Sequence, residues 1–192
     1  LVPVRAVFEA LGAQVDWKDG KVFSKKGDTE IILTINENVL IKNGEEIANE
    51  IINKIKETEN KISWRIDGSE IANLNKNKNF PVSESTKKHI ADTLDVCRKS
   101  NGAVDLTVGG LINEWNIGNE NFKIPGENAL KNILESVDYS KVKFEGNTVF
   151  IDEKQFIDLG FVGKGIACDE AKIILDEHKA KRAIISVGGS LC

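Results

Sequence analysis

The chain predicts an α+β fold, and three observations predict it. Residues 45–60, 84–99 and 127–136 carry apolar side chains at helical spacing. Short strand-like runs lie between turn dipeptides such as Asp19-Gly20, Asn43-Gly44 and Gly146-Asn147. Helices and strands then follow one another in mixed order. The 192 residues, 41% hydrophobic and 29% charged, suffice for one substantial core or two smaller ones.

Taken in order, Pro3 to Leu11 has helical periodicity, with Val7, Phe8 and Leu11 on one face. Pro3 suits a first turn and Gly12 a stop. Strands are expected over 14–17, 21–24, 29–35 and 39–42, separated by Asp19-Gly20, Lys26-Gly27-Asp28 and Asn36–Asn38. Such spacing describes a small hairpin-rich module. At Asn43-Gly44 the pattern changes from period two to helical, which places a junction between Lys42 and Ile47. The helix over 45–60 has Ile47, Ile51, Ile52 and Ile55 in one stripe. A second helix, 84–99, takes Ser83 as its N-cap and turns Ile90, Leu94 and Cys97 inward. A third, 127–136, carries Leu130, Ile133 and Leu134. A hairpin follows, 142–144 with 148–151 around Glu145-Gly146-Asn147.

The stretch from Asp158 to Asp169 carries the most chemistry. Gln155 to Leu159 reads as a strand; Gly160, Gly163 and Gly165 read as a turn with Lys164 inside it. From Ile166 a helix follows, with Ala167, Ala171, Ile174 and Leu175 on one face. Strand, glycine turn and helix start form a geometry that holds a phosphate, since free N–H groups point at the anion. The alternative is a plain tight turn with a solvated lysine. A P-loop is excluded because neither Ser nor Thr follows Lys164, and the glycine order does not fit a dinucleotide fingerprint. His89 and His178, the two histidines, lie on expected helices away from any Gly-x-Ser-x-Gly, so a hydrolase triad lacks support.

Four segments occur in sequence order: Ser69-Glu-Ile-x-x-Leu-Asn75, Gly102-Ala-Val-Asp-x-Thr-Val-Gly109, Asp158-Leu-Gly-x-x-Gly-Lys-Gly165 with Asp169, and Val187-Gly-Gly189. Together they resemble the FAD:protein FMN transferase family, also called ApbE, over residues 45 to 192. Residues 1 to 44, with Leu1-Val-Pro-Val-Arg-Ala-Val-Phe-Glu-Ala-Leu-Gly-Ala13 and Val15-Asp-Trp17, are similar to part of the copper amine oxidase N-terminal-like domain. This module recurs on bacterial surface proteins. It has no His or Cys here and offers copper none of its favoured ligands.

The resemblance implies a partial flavin transferase domain behind a small N-terminal module. It implies an enzyme that moves FMN from FAD, through a phosphoester, onto Thr or Ser of a partner flavoprotein with Mg2+. Arg65, Ala103, Val104, Asp105, Lys164 and Glu170 then match flavin-contacting positions. Ala167 matches the residue whose backbone carbonyl binds magnesium. Each has a plainer alternative. Asp105 can cap its turn, Ala167 can be core, Glu170 a solvated carboxylate and Arg65 a surface arginine. Trp64 and Trp115 either wall the pocket or simply pack. The family's opening Met-Gly-Thr strand is missing, or residues 29–35 take its place.

The net charge of −4, with no basic block, argues against a nucleic-acid partner. Cys97, Cys168 and Cys192 have no metal-type spacing, which disfavours a zinc site or a disulfide framework. No stretch reaches the length of a membrane span, and no secretory leader is visible. The chain, without Met, is expected to be part of a longer protein, with further metal ligands after Cys192. The resemblance places that protein outside the cytoplasm, on the cell envelope as a lipoprotein or otherwise membrane-anchored, with cell-wall association through the N-terminal module. The competing reading is a non-catalytic surface protein that binds flavin or cell wall.

Overall fold

A computed structural model describes residues 9, 11–18, 21–26, 29–34, 40–42, 45–116, 122–180, 183–188 and 190–191. The chain divides into two compact units. The first comprises Leu1–Glu57 with Lys164–Cys192, the second Thr58–Gly163.

The first unit holds a four-stranded antiparallel meander in sequence order: β1 (Gln14–Lys18), β2 (Lys21–Lys26), β3 (Thr29–Thr34) and β4 (Leu40–Lys42). Lys18 pairs with Lys21 and Lys26 with Thr29, a register that a hairpin-rich reading predicts. The expected turn residues Asp19-Gly20, Gly27-Asp28, Asn36–Asn38 and Asn43-Gly44 lie outside the described residues, as does most of the expected helix 3–11. Its end is described: Glu9 is helical, and Gly12 has φ +75 and donates to the Glu9 carbonyl. Helix α1 (Glu45–Ile62) begins three residues after β4 ends. Ile47, Ile51, Ile52 and Ile55 are half-buried, the stripe the sequence indicates.

The second unit contains α2 (Glu70–Asn77), β5 (Asn79–Pro81), α3 (Glu84–Lys99), α4 (Gly109–Glu114), α5 (Glu127–Leu134), a 3-10 turn at Tyr139–Lys141, β6 (Lys143–Glu145) and β7 (Thr148–Phe150). Its sheet is antiparallel, ordered β5-β7-β6, and the β6–β7 hairpin turns at Gly146 with φ +57. Ser83 caps α3 as expected, accepting from the Thr86 N–H. Ile90, Leu94 and Cys97 are buried together with Ile71, Leu74, Leu106, Val149 and Ile157. The α5 expectation holds less well. The helix stops at Leu134, two residues early, and Leu134 is 54% exposed because only Leu130 and Ile133 turn toward the unit.

The stretch 155–159 is not a full strand. It makes one parallel bridge, Phe156 with Val108. Helix α6 (Gly160–Glu177) then starts six residues before the expected position. The reason is the Asp158 carboxylate, which accepts from the Gly160 N–H at 2.6 Å and nucleates the first turn. Glycine weakens a helix by about 1 kcal/mol per residue. Burial of Ile166, Ala167, Cys168, Ala171 and Ile174 outweighs that cost. A short hairpin, β8 (Ser186–Val187) with β9 (Ser190–Leu191), completes the first unit.

Candidate functional site

The Ser69–Asn75 segment proves to be framework. Ser69 caps α2 by accepting from the Ala72 N–H at 2.9 Å, and its hydroxyl donates to the Ser63 carbonyl at 2.8 Å. The Glu70 carboxylate accepts from both the N–H and the hydroxyl of Ser83, which holds the start of α3. Ile71 and Leu74 are fully buried. The Asn75 amide donates to the Ile157 carbonyl at 2.9 Å and accepts from the Ile157 N–H at 2.7 Å. It thereby stands in for a neighbouring strand. The Asp158 N–H donates to Leu106 and the Gly109 N–H to Phe156. Two segments, the end of α2 and residues 106–109, are thus clamped around residues 156–158.

The Asn101–Asp105 loop is shaped by backbone geometry. Asn101 and Gly102 both have positive φ, 51 and 76. The N–H groups of Asn101, Gly102 and Ala103 donate to Arg98, Cys97 and Ser100 carbonyls, and the Val104 N–H donates to the Ser100 hydroxyl. Four consecutive amides are therefore spent inside the loop, and exposed Ala103 and half-buried Val104 present carbonyl oxygens instead. Asp105 is buried. One carboxylate oxygen accepts from the Thr107 N–H (2.8 Å) and hydroxyl (2.7 Å), the other from the Tyr139 N–H (2.9 Å). The Thr107 hydroxyl in turn accepts from the Asp138 N–H at 2.9 Å. Asp105 thus fulfils the turn-capping alternative with all of these bonds.

Arg65 is exposed, its guanidinium 4.4 Å from the centre of the Trp64 ring. Trp64 meets Phe156 edge to face at 5.1 Å. Gly109 lies beneath Phe156: an added Cβ would sit 2.5 Å from its ring and 2.8 Å from its carbonyl. Trp115 lies at the end of α4, where its carbonyl accepts from the Lys123 N–H.

The other three candidates belong to the first unit and lie on α6. Lys164 is exposed, and its ammonium donates to the Gly188 carbonyl at 2.8 Å, at the φ +53 turn of the β8–β9 hairpin. Gly160, Gly163 and Gly165 are helical residues, so the expected loop of free amides is not formed. The Gly160 and Val162 N–H groups already donate to Asp158 and Leu159. Ala167 is 7% exposed, in the core face of the helix. Glu170 is half-buried and lines a cleft of about 560 Å3 with Glu50, Glu57 and Glu177. Among the described residues no three His, Cys, Asp or Glu side chains gather as a metal site.

Buried polar residues are what sequence patterning missed. Asn75, Thr107 and Gln155 are 6%, 1% and 0% exposed. Hydrophobic periodicity cannot single out a polar residue whose partner is distant backbone. Burial also raises the Cys97 thiol above its ordinary pKa, which marks it as an inert core residue.

The ApbE family matches residues 28–192. The FAD:protein FMN transferase of Escherichia coli K12 is 31% identical over 126 residues, covering 58% of this chain and 34% of its own length. That of Buchnera aphidicola subsp. Baizongia pistaciae is 32% identical over 142 residues, covering 69% of this chain and 42% of its own. The crystal structure of the ApbE protein from Thermotoga maritima superposes with a TM-score of 0.73 at 26% identity, over 93% of this chain and 57% of that one. The flavin transferase ApbE from Vibrio cholerae gives 0.71 at 21% identity over the same shares, a likeness of fold. The chain therefore spans between a third and three fifths of the length of these relatives.

Proposed function

Because this chain belongs to the ApbE family, we propose that it forms part of an enzyme that transfers FMN from FAD to a protein acceptor. The observation that carries the proposal is the match over residues 28–192, joined to relatives that are themselves FAD:protein FMN transferases. The reaction breaks the P–O bond that joins the two phosphates of FAD. A new P–O bond forms to a Thr or Ser hydroxyl of the acceptor, AMP leaves with the electron pair, and the hydroxyl proton is released. Positioning and charge stabilisation carry most of such a transfer.

The residues divide this work. The loop at Ala103 and Val104, with its amides spent and its carbonyls unspent, suits the ring N–H of the flavin or the exocyclic amino group of the adenine rather than the diphosphate. Lys164 is the cation we assign to the diphosphate; to reach it, the ammonium exchanges its Gly188 carbonyl for a phosphate oxygen. Arg65 on Trp64 offers a planar cation for stacking or phosphate pairing. Asp105 positions the loop through Thr107 and Tyr139. Glu170 enters by family likeness alone, since its acidic cleft repels phosphate. Mg2+ would neutralise phosphate charge, and Ala167 is the residue we assign to it. Its carbonyl lies within the α6 ladder, so the described residues supply no full ligand set and no step is routed through the metal.

β3 and β4 fall inside the family match, which supports β3 as the stand-in for the family's opening strand. Residues before 28 remain for the surface-module reading, and with it an extracytoplasmic, envelope-anchored or wall-associated setting. The test incubates the longer enzyme of which this chain is proposed to form part with FAD, Mg2+ and an acceptor bearing a Thr-containing flavinylation motif; the 192-residue chain alone is expected to show little or no transfer. AMP release matched by flavin on the acceptor is the expected result. FAD binding without AMP would identify a non-catalytic flavin protein instead.

A further inference from the structure

A second cleft, of about 520 Å3, opens in the Thr58–Gly163 unit, and none of the flavin candidates lines it. Its polar walls are Lys78, Asn132, Ser136 and Lys154; Ile133 and Phe156 supply apolar surface. The charge is one-sided: two ammonium groups and, among the described lining residues, no carboxylate.

Lys78 is fixed in place. It ends α2 in the left-handed region, φ 63, where its N–H donates to Leu74 and its carbonyl accepts from Ile151, both at 2.8 Å. Its ammonium donates to the Gln155 carbonyl at 2.9 Å and keeps two further protons. Burial lowers its pKa, against the opposing field of Glu153. Among the described residues, neither the Lys154 ammonium nor the Asn132 amide has a partner. At Gly110 an added Cβ would come within 3.1 Å of Ile133, so the missing side chain keeps the apolar wall open.

We propose that this cleft binds the phosphate monoester of a small molecule whose body is apolar or aromatic. Two ammonium groups match the double charge of such a phosphate, and lysine serves phosphate as a point charge. The Asn132 amide donates to a third oxygen, and Phe156 with Ile133 receives the body. A cleft of several hundred Å3 with a few polar groups on an apolar wall is the usual form of a small-molecule site. The inference does not depend on flavin transfer.

The test titrates the isotope-labelled protein with AMP, phenyl phosphate, inorganic phosphate, adenosine and benzylamine, following backbone resonances. AMP and phenyl phosphate should move Lys78, Gly110, Asn132 and Lys154 together, while adenosine and benzylamine leave them in place. Lys154→Met removes an exposed, unpartnered group and should leave the fold intact. It should weaken AMP binding about three- to tenfold, the lower end for a charge-assisted contact that is partly solvated, and Lys154→Arg should restore most of it. Adenosine moving the same resonances as AMP, no movement with either phosphate ester, or unchanged affinity in Lys154→Met would each overturn the proposal. Inorganic phosphate binding as tightly as AMP would overturn the role of the apolar wall.

Discussion

At the scale of single residues, Asn75 acts as a piece of β-strand carried on a helix. Its side-chain amide satisfies both backbone groups of Ile157, and both residues are buried. Replacement by leucine keeps the volume but strands a buried N–H and a buried C=O. Each costs about 1–3 kcal/mol when unmade, so Asn75→Leu should lower stability by about 2–6 kcal/mol. Urea unfolding reads this directly, and a loss under about 1 kcal/mol would show that water replaces the amide. The sequence resemblance picked out Ser69, Glu70 and Asn75 as a motif but not their task. Capping and strand mimicry depend on Ser63, Ser83 and Ile157, of which Ile157 lies 82 residues from Asn75. Asp105 shows the same limit. Turn chemistry anticipated a cap, yet its partner Tyr139 is 34 residues away.

At the scale of elements, α3, the β6–β7 hairpin and the inner stripe of α1 were legible because each rests on local signals: a Ser83 cap, a Gly146 turn, a run of isoleucines. The start of α6 was not legible. Three glycines within six residues look like a turn, and only the Asp158 side chain folded over the Gly160 N–H shows otherwise. The same glycines give a paired prediction. Gly163 is helical with open space where a Cβ would be, so Gly163→Ala should stabilise by about 0.5–1 kcal/mol. Gly109 has the Phe156 ring and carbonyl against it, and backbone yields little, so Gly109→Ala should destabilise by about 1–3 kcal/mol. Thermal melts of the two variants should move in opposite directions; a shift of the same sign would mean that the Phe156 segment relaxes. If Gly163 also gives a phosphate close access to the backbone, its alanine variant becomes more stable and yet binds FAD less well.

At the scale of the whole molecule, the net charge of −4 sets a background against which one cation can be weighed. FAD is an anion, so the summed field opposes its approach, and the proposed binding must come from local contacts. Lys164 is the cation assigned to its diphosphate, and its present bond to the Gly188 carbonyl shows that the ammonium reaches a neighbouring oxygen at 2.8 Å. Lys164→Ala should therefore weaken FAD by about 1.5–3 kcal/mol, the range for a hydrogen bond to a charged group. Riboflavin lacks phosphate and should lose almost nothing. Salt separates the two fields. In the parent protein added salt screens the exposed Lys164 contact, and FAD affinity should fall as the Debye length shrinks toward about 10 Å near 0.1 M. In Lys164→Ala that contact is gone and only Arg65 and the general repulsion remain to be screened, so the affinity should fall less with salt than in the parent protein. Titrations of FAD and riboflavin at low and moderate salt, parent against variant, contain the whole test. Equal losses for both ligands would assign Lys164 to the β8–β9 hairpin that it tethers, through the Gly188 carbonyl, and the phosphate would need another partner.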